Sequence, residues 1–227
     1  MRMRTKPWAR PELDACPYYV KEPREWKGKW HSWFPKKQPL HVELGCGKGT
    51  FTAELAFQNP AINYLAIDIS SDVLGVARRN VQKRYDEGGR EVDNLALLIH
   101  DIERILLMMD ENDGVQRLYI NFCNPWPKGK HQKKRLTHTN QLERYKVFLA
   151  DGAEIHFKTD DDGLFLSTLR YCKESGLEVL WQTKDLHNAA DSPQCSITSE
   201  HEDRFTQEGI PIKALVARYR KPLTSEG

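Results

Sequence analysis

No apolar run in this chain comes near the roughly 20 residues that a bilayer-spanning helix takes, so no membrane segment is expected. Cysteines are few and dispersed. Cys16, Cys46, Cys123, Cys172 and Cys195 form no Cys-x-x-Cys pair and no Cys/His spacing of a metal site. An odd, scattered set of this kind argues against a disulfide framework and suits reduced thiols in a cytoplasm. Neither sign of charge dominates: 34 Lys+Arg stand against 32 Asp+Glu, for a formal net charge of +2. Global charge therefore selects no partner. The opening Met1-Arg-Met-Arg-Thr-Lys leads into no apolar stretch, so no secretory signal is expected. Internal repeats and low-complexity linkers are lacking as well. The adjacent acids Asp160, Asp161 and Asp162 follow a strand without ligand spacing, and no metal is expected.

What is present is a regular alternation. At 227 residues the chain is long enough for one α/β domain with a full core. Strands are expected at 40–44, 62–69, 95–99, 115–122, 153–158, 177–183 and 212–219. Helices are expected at 50–58, 71–86, 102–109, 139–149, 162–175 and 200–207. Apolar strands alternating with helices predict a mostly parallel seven-stranded sheet with helices on both faces. Ligands of such sheets bind at the carboxyl ends of the strands. Residues 1–38 carry Arg, Lys, Pro and Trp without sustained periodicity. They read as an N-terminal basic arm, irregular and ordered in part by Trp8, Trp26, Trp30 and Trp33. The domain proper is expected to span 39–227.

Charge is local where it matters. The apolar run Val115 to Phe122 leads into Asn121-Phe122-Cys123-Asn124-Pro125-Trp126-Pro127-Lys128 and then Gly129-Lys130-His131-Gln132-Lys133-Lys134-Arg135. A polar side chain, a flat aromatic and a cluster of cations thus lie together at a strand's end. That set suits a purine held beside a nucleic-acid backbone. Two plainer readings stand next to it: Trp126 as a plug at the sheet edge, and Lys133 to Arg135 as a solvated face.

A second motif, Glu43-Leu-Gly45-Cys-Gly47-Lys-Gly49-Thr50, follows the first strand and opens a helix. Glycines let the backbone bend tightly and let a ligand approach closely. Thr50 stands where the dinucleotide fingerprint wants its last glycine, which disfavours a nicotinamide enzyme. Glu43 would repel a pyrophosphate but suits the positively charged amino-acid end and sulfonium of S-adenosylmethionine. An ordinary strand-to-helix turn is the alternative. Asp68 ends the second strand, where an acid accepts from ribose hydroxyls. Asp101 ends the third, where it either accepts from an adenine amino group, with intervening residues flanking the ring, or caps a helix.

These motifs, with Phe157-Lys158-Thr159-Asp160 and Ser199-Glu200-His201-Glu202-Asp203-Arg204-Phe205, occur in an order that resembles the bacterial tRNA (guanine-N7-)-methyltransferases. The opening Arg-x-Arg-x-Lys-Pro-Trp-Ala is similar too, so the resemblance covers essentially the whole chain. It implies a Rossmann-like class I fold, S-adenosylmethionine as methyl donor and tRNA as partner, with N7 of a variable-loop guanosine as acceptor. It implies donor contacts for Glu43, Gly45, Gly47, Asp68, Asp101 and Asn124, and a catalytic place for Asn124. Lys128, Asp160, Ser199, Glu200, His201 and Glu202 match substrate-contacting positions. Lys130, His131, Gln132, Lys133, Lys134 and Arg135 match an RNA-contacting loop. A monomer or a homodimer is compatible with it.

The chain departs from the family pattern in three places. Asn124 replaces an Asp, Ser199 and His201 replace Thr and Tyr, and Leu166 stands where a Glu is expected. N7 of guanine carries a lone pair and no proton, so its methylation needs no prior base and alignment supplies much of the catalysis. Carboxylates at Asp160 and Glu200 would ease the charge that grows on the purine. Two other functions fit the turn: methylation of an exocyclic base amine, suggested by Asn124-Pro125-Trp126, and tRNA binding without catalysis, suggested by the missing Asp.

Overall fold

A computed structural model describes residues 5–193 and 196–222. The first three residues of the family-like opening, Arg2 to Arg4, and Cys195 fall outside that range. Eight strands form one sheet: β1 (Tyr19–Val20), β2 (Leu40–Leu44), β3 (Asn63–Asp68), β4 (Leu95–Ile99), β5 (Val115–Asn121), β6 (Leu149–Thr159), β7 (Glu178–Thr183) and β8 (Lys213–Arg218). Their order is β1-β4-β3-β2-β5-β6-β8-β7, and only the β6–β8 and β7–β8 pairings are antiparallel. The expected seven strands are all there. The eighth, β1, comes from the segment read as an irregular arm, where Tyr19 and Val20 pair in parallel with Leu97 and Leu98. Two residues are too few to show an alternating pattern, so periodicity could not reveal this strand.

Helices cover both faces. On one face α1 (Ala9–Asp14), α2 (Thr50–Gln58) and α3 (Ser71–Glu87) pack their apolar residues against Tyr64, Ala66, Leu95, Leu97 and Tyr119. On the other, α4 (Thr139–Phe148) and α5 (Asp162–Glu174) pack against Leu118, Ile120, Ile155 and Phe157. Successive residues of one strand serve opposite faces, as the pleat requires. Trp30 is fully buried on the second face and donates its indole N–H to the Met108 carbonyl at 2.8 Å. Asp113 accepts from the backbone N–H groups of Gly28 and Trp30 at 3.1 and 3.3 Å, which fixes this N-terminal stretch to the sheet.

One helix expectation needs correction. The stretch expected to be helical at 102–109 is a 3₁₀ segment, Ile102–Leu107, kinked at Arg104. It is too short for an α-helical repeat to settle between Asp101 and Met108. The basic loop winds into a 3₁₀ turn over Gly129–Lys134. A last helix, α6 (Glu200–Gln207), lies before β8. No helix among the described residues is long and apolar enough to cross a membrane.

Candidate active site

The strand order reverses at β2, whose neighbours are β3 on one side and β5 on the other, so a crevice opens beyond its carboxyl end. The glycine turn fills that place. Gly45 and Cys46 donate their N–H groups to the Ile67 carbonyl at 2.8 and 2.9 Å. Gly45, Gly47 and Gly49 all have positive φ. At Gly49 a Cβ would sit 2.8 Å from that of Ala77, so glycine is needed for α2 to approach α3. At Gly47 a Cβ would meet nothing within 4 Å, and the turn presents open room to a ligand.

Asp68 shapes this turn from below. Its Oδ2 accepts the Gly47 N–H at 3.0 Å and its Oδ1 the Ser70 N–H at 2.9 Å. The helix cap that competed with a ligand role goes to Ser70, whose hydroxyl accepts from Val73. Burial raises the Asp68 carboxyl above its ordinary value, against the pull of these N–H groups. Asp101 accepts from the Glu103 N–H at 3.0 Å as a cap and also lines the cleft. The cleft, about 370 Å³, is walled by Gly45, Asp68, Ile69, Asp101, Asn124 and Trp126 among others. Ile69 is 68% exposed there, and Ile102 lies on the same cleft. The sequence reading left both unnamed; an apolar residue directly after a strand-end acid was the available signal.

Glu43 is buried under the turn. Asn121 donates to its Oε1 at 3.0 Å and the Thr52 hydroxyl donates to its Oε2. Burial outweighs those two hydrogen bonds and pushes the carboxyl up to about 7. Glu43 walls a second, smaller chamber of about 80 Å³ together with Gly47, Lys48, Asn121, Ser199, Glu200 and His201. Gly45 and Phe122 line both chambers, which are thus two ends of one crevice. A positively charged amino-acid end fits beside Glu43 and a nucleoside fits between Asp68, Ile69 and Asp101. The residues present therefore suit S-adenosylmethionine.

The turn after β5 is tightly made. Asn124 Oδ1 accepts the Trp126 N–H at 3.0 Å across Pro125. Phe122 and Trp126 take φ of +50° and +42°, an uncommon region for side chains of that size. Trp126 lies against His131, and the Lys134 ammonium is 5.3 Å from its ring centroid, so the ring is a wall of the cleft and not a plug of the sheet edge. Burial lifts the Cys123 thiol to about 12, leaving it a neutral wall of the same cleft.

The basic loop divides. Lys128, Lys130, Lys133 and Lys134 are exposed, with His131 and Gln132 half-buried. Arg135 is different: it is buried, and its guanidinium donates to the carbonyls of Pro125 and Trp126 and to the Tyr171 hydroxyl. The expectation of an RNA contact at Arg135 is corrected, because every guanidinium nitrogen already has a partner inside the protein. A basic run in sequence does not distinguish a braced arginine from its exposed neighbours.

The late motif behaves in the same divided way. Ser199 caps α6 by accepting the Glu202 N–H at 3.2 Å. Glu200 reaches back to Lys48 at 2.5 Å, bridging α6 and the glycine turn. His201 stacks on Phe122 at a 17° interplanar angle. Glu202 points the other way and pairs with buried Lys158, so its expected substrate contact is corrected to a structural one. Asp160 lies at the end of β6, where its carbonyl accepts from Lys213 at 3.0 Å, and Asp161 caps α5. Among the described residues, no group of three or more His, Cys, Asp or Glu is placed to hold a metal.

A family model described as "Putative methyltransferase" matches residues 37–215. The chain is 52% identical to the tRNA (guanine-N(7)-)-methyltransferase of Clostridium beijerinckii, over 96% of this chain and 98% of that one. It is 51% identical to the enzyme of the same name from Ruminiclostridium cellulolyticum, over 98% and 94%. Among solved structures, the 16S rRNA methyltransferase KamB superposes with a TM-score of 0.58 at 13% identity, over 96% of each chain. A 16S rRNA (adenine(1408)-N(1))-methyltransferase from Catenulisporales acidiphilia gives 0.59 at 15% identity, over 90% of this chain and 94% of that one. At such identities these two report the class I methyltransferase fold alone.

Proposed function

This chain belongs to the tRNA (guanine-N(7)-)-methyltransferase family, and from that premise we propose how its crevice methylates N7 of a guanosine in the tRNA variable loop. Bound S-adenosylmethionine supplies an electrophilic methyl group. Glu43, ionised, holds the ammonium of the donor's amino-acid end, and the glycine turn leaves room for it. Asp68 accepts from ribose hydroxyls while its other lone pairs keep Gly47 in place. Ile69 and Ile102 offer apolar walls to the adenine, and Asp101 accepts from its amino group. The protein acts in the cytoplasm.

At the acceptor end Asn124 and Trp126 fix the guanine, the first by hydrogen bonding and the second by its flat face. Asn124 brings no negative charge, so Asp160 and Glu200 are the carboxylates nearest in role to ease the charge growing on the purine. Lys128, Lys130, Lys133 and Lys134 meet phosphates of the tRNA. The observation that carries this reading is the shared wall: Gly45 and Phe122 border both chambers, so donor and acceptor groups face one crevice. The test is methyl transfer from labelled donor to unmodified tRNA, followed by nucleoside identification. N7-methylguanosine is expected. A methylated exocyclic amine, or tRNA binding with no transfer, would replace this reading with one of its two rivals.

A further inference from the structure

The geometry points to Arg135 as a positioning residue that sets the Asn124–Trp126 turn, rather than as a contact to RNA phosphate. The inference rests on the reading that Asn124 and Trp126 hold the guanine. Arg135 is 5% exposed although its neighbours Lys133 and Lys134 are exposed. Its Nε–H donates to the Pro125 carbonyl at 2.7 Å. One terminal nitrogen donates to the Trp126 carbonyl at 3.3 Å, and the other to the Tyr171 hydroxyl of α5 at 3.3 Å. The fork thus takes two successive carbonyls of the turn and ties them to α5.

The turn needs such a tie. Trp126 sits at φ +42° and Phe122 at +50°, conformations that persist in bulky residues only where the surroundings over-determine them. Two prolines, Pro125 and Pro127, remove N–H groups that would otherwise pin the segment. The Asn124 side chain supplies one restraint from inside the turn, and Arg135 supplies the others from outside. A planar guanidinium can address both carbonyls and the phenol at fixed angles; an ammonium cannot. Arg135 also closes the 3₁₀ turn over Gly129–Lys134, its backbone N–H donating to the Gln132 carbonyl.

Arg135→Lys separates the two roles, because it keeps the charge and removes the fork. A phosphate contact tolerates that change; a bracket does not. Steady-state methylation of unmodified tRNA by Arg135→Lys should show kcat lowered about tenfold or more, as misplacement of a reacting group commonly does. KM for tRNA and its salt dependence should stay near native. Tyr171→Phe, which leaves every charge in place, should lower kcat severalfold with the same unchanged KM, and thermal melts of both variants report folding independently. An Arg135→Lys enzyme with native kcat, beside an Arg135→Ala enzyme whose KM rises and whose salt slope flattens, would make Arg135 a phosphate contact and overturn the inference. If Arg135→Lys does not fold, Tyr171→Phe decides: lowered kcat supports the bracket and native kcat overturns it. Failure of the native protein to form N7-methylguanosine would instead count against the proposed function.

Discussion

Lys158 and Glu202 meet at 3.0 Å with each side chain 2% exposed, an ion pair that joins the end of β6 to α6. The ammonium also donates to the Ile197 carbonyl at 3.4 Å and lies 5.8 Å from the Phe51 ring centroid. Through this pair the buried sheet end decides where Glu200 and His201 stand over the small chamber.

Removing one partner leaves the other charge buried alone. Glu202→Leu should therefore cost about 3–5 kcal/mol, and the double variant Lys158→Met with Glu202→Leu should recover most of that loss. Urea unfolding of the two variants beside the native chain makes the measurement. A single variant as stable as the native protein would mean that α6 undocks without consequence to the whole.

Glu43 makes donor binding depend on pH. Its carboxyl is pushed up to about 7 by burial, and only the ionised form can pair with an ammonium. Donor affinity should climb between about pH 6 and pH 7.5, and Glu43→Gln should bind weakly with that climb gone. Stability moves in the opposite sense. The folded carboxyl binds its proton more tightly than the unfolded one, whose ordinary value is 4.5. Folding is thus favoured by this group at low pH, and the contribution falls as pH rises from about 4.5 to about 7, by at most about 3 kcal/mol. Calorimetric titration of the donor at several pH values tests the first statement, and urea midpoints of native and Glu43→Gln proteins test the second.

Asn124→Asp should be at least as active as the native protein. The Trp126 N–H needs only an oxygen at this position, which a carboxylate also provides, and the added charge favours the purine cation. Asn124→Ala loses the turn acceptor as well as the guanine contact, and a fall of about 10²-fold in single-turnover rate is expected. An alanine variant as fast as the native enzyme would reduce Asn124 to a turn residue.

The exposed lysines should be read by salt. Changing Lys130 and Lys133 together to Ala should weaken tRNA binding and reduce the slope of log affinity against log salt by about one to two. Donor affinity should not move, since neither lysine lines the cleft. Filter binding across a salt series would retire the phosphate contacts if affinity and slope were both unchanged.

Much of this was legible in the residues because it rests on local rules. The run Leu40–Leu44 alternates Leu, Val and Leu with His41 and Glu43 and is followed by the glycines Gly45, Gly47 and Gly49, so both the central strand and the turn beyond it follow from short-range chemistry. Asp68, Asp101 and Asn124 come together on one cleft because each lies at or just beyond the carboxyl end of a parallel strand, a place the sequence already marks. Arg135 and Glu202 were misread because their partners, Tyr171 and Lys158, are 36 and 44 residues away. Burial of a charge is a tertiary fact, and a charged residue inside a charged run gives no sign of it. Ile69 was passed over although it directly follows a strand-end acid, because its 68% exposure and the cleft it faces are facts of the fold.

The edge strand β1 has a consequence for how the chain is made. Tyr19 pairs with Leu97, and Trp30 gives its indole proton to Met108, so this early segment waits for partners synthesised nearly eighty residues later. While the ribosome is still extending the chain, Trp30 and its neighbours have no sheet to join. β2, β3 and β4 must be arranged first, and the N-terminal stretch then closes over them as a late step. Loss of the indole donor in Trp30→Phe should slow that last step more than it slows collapse of the central strands.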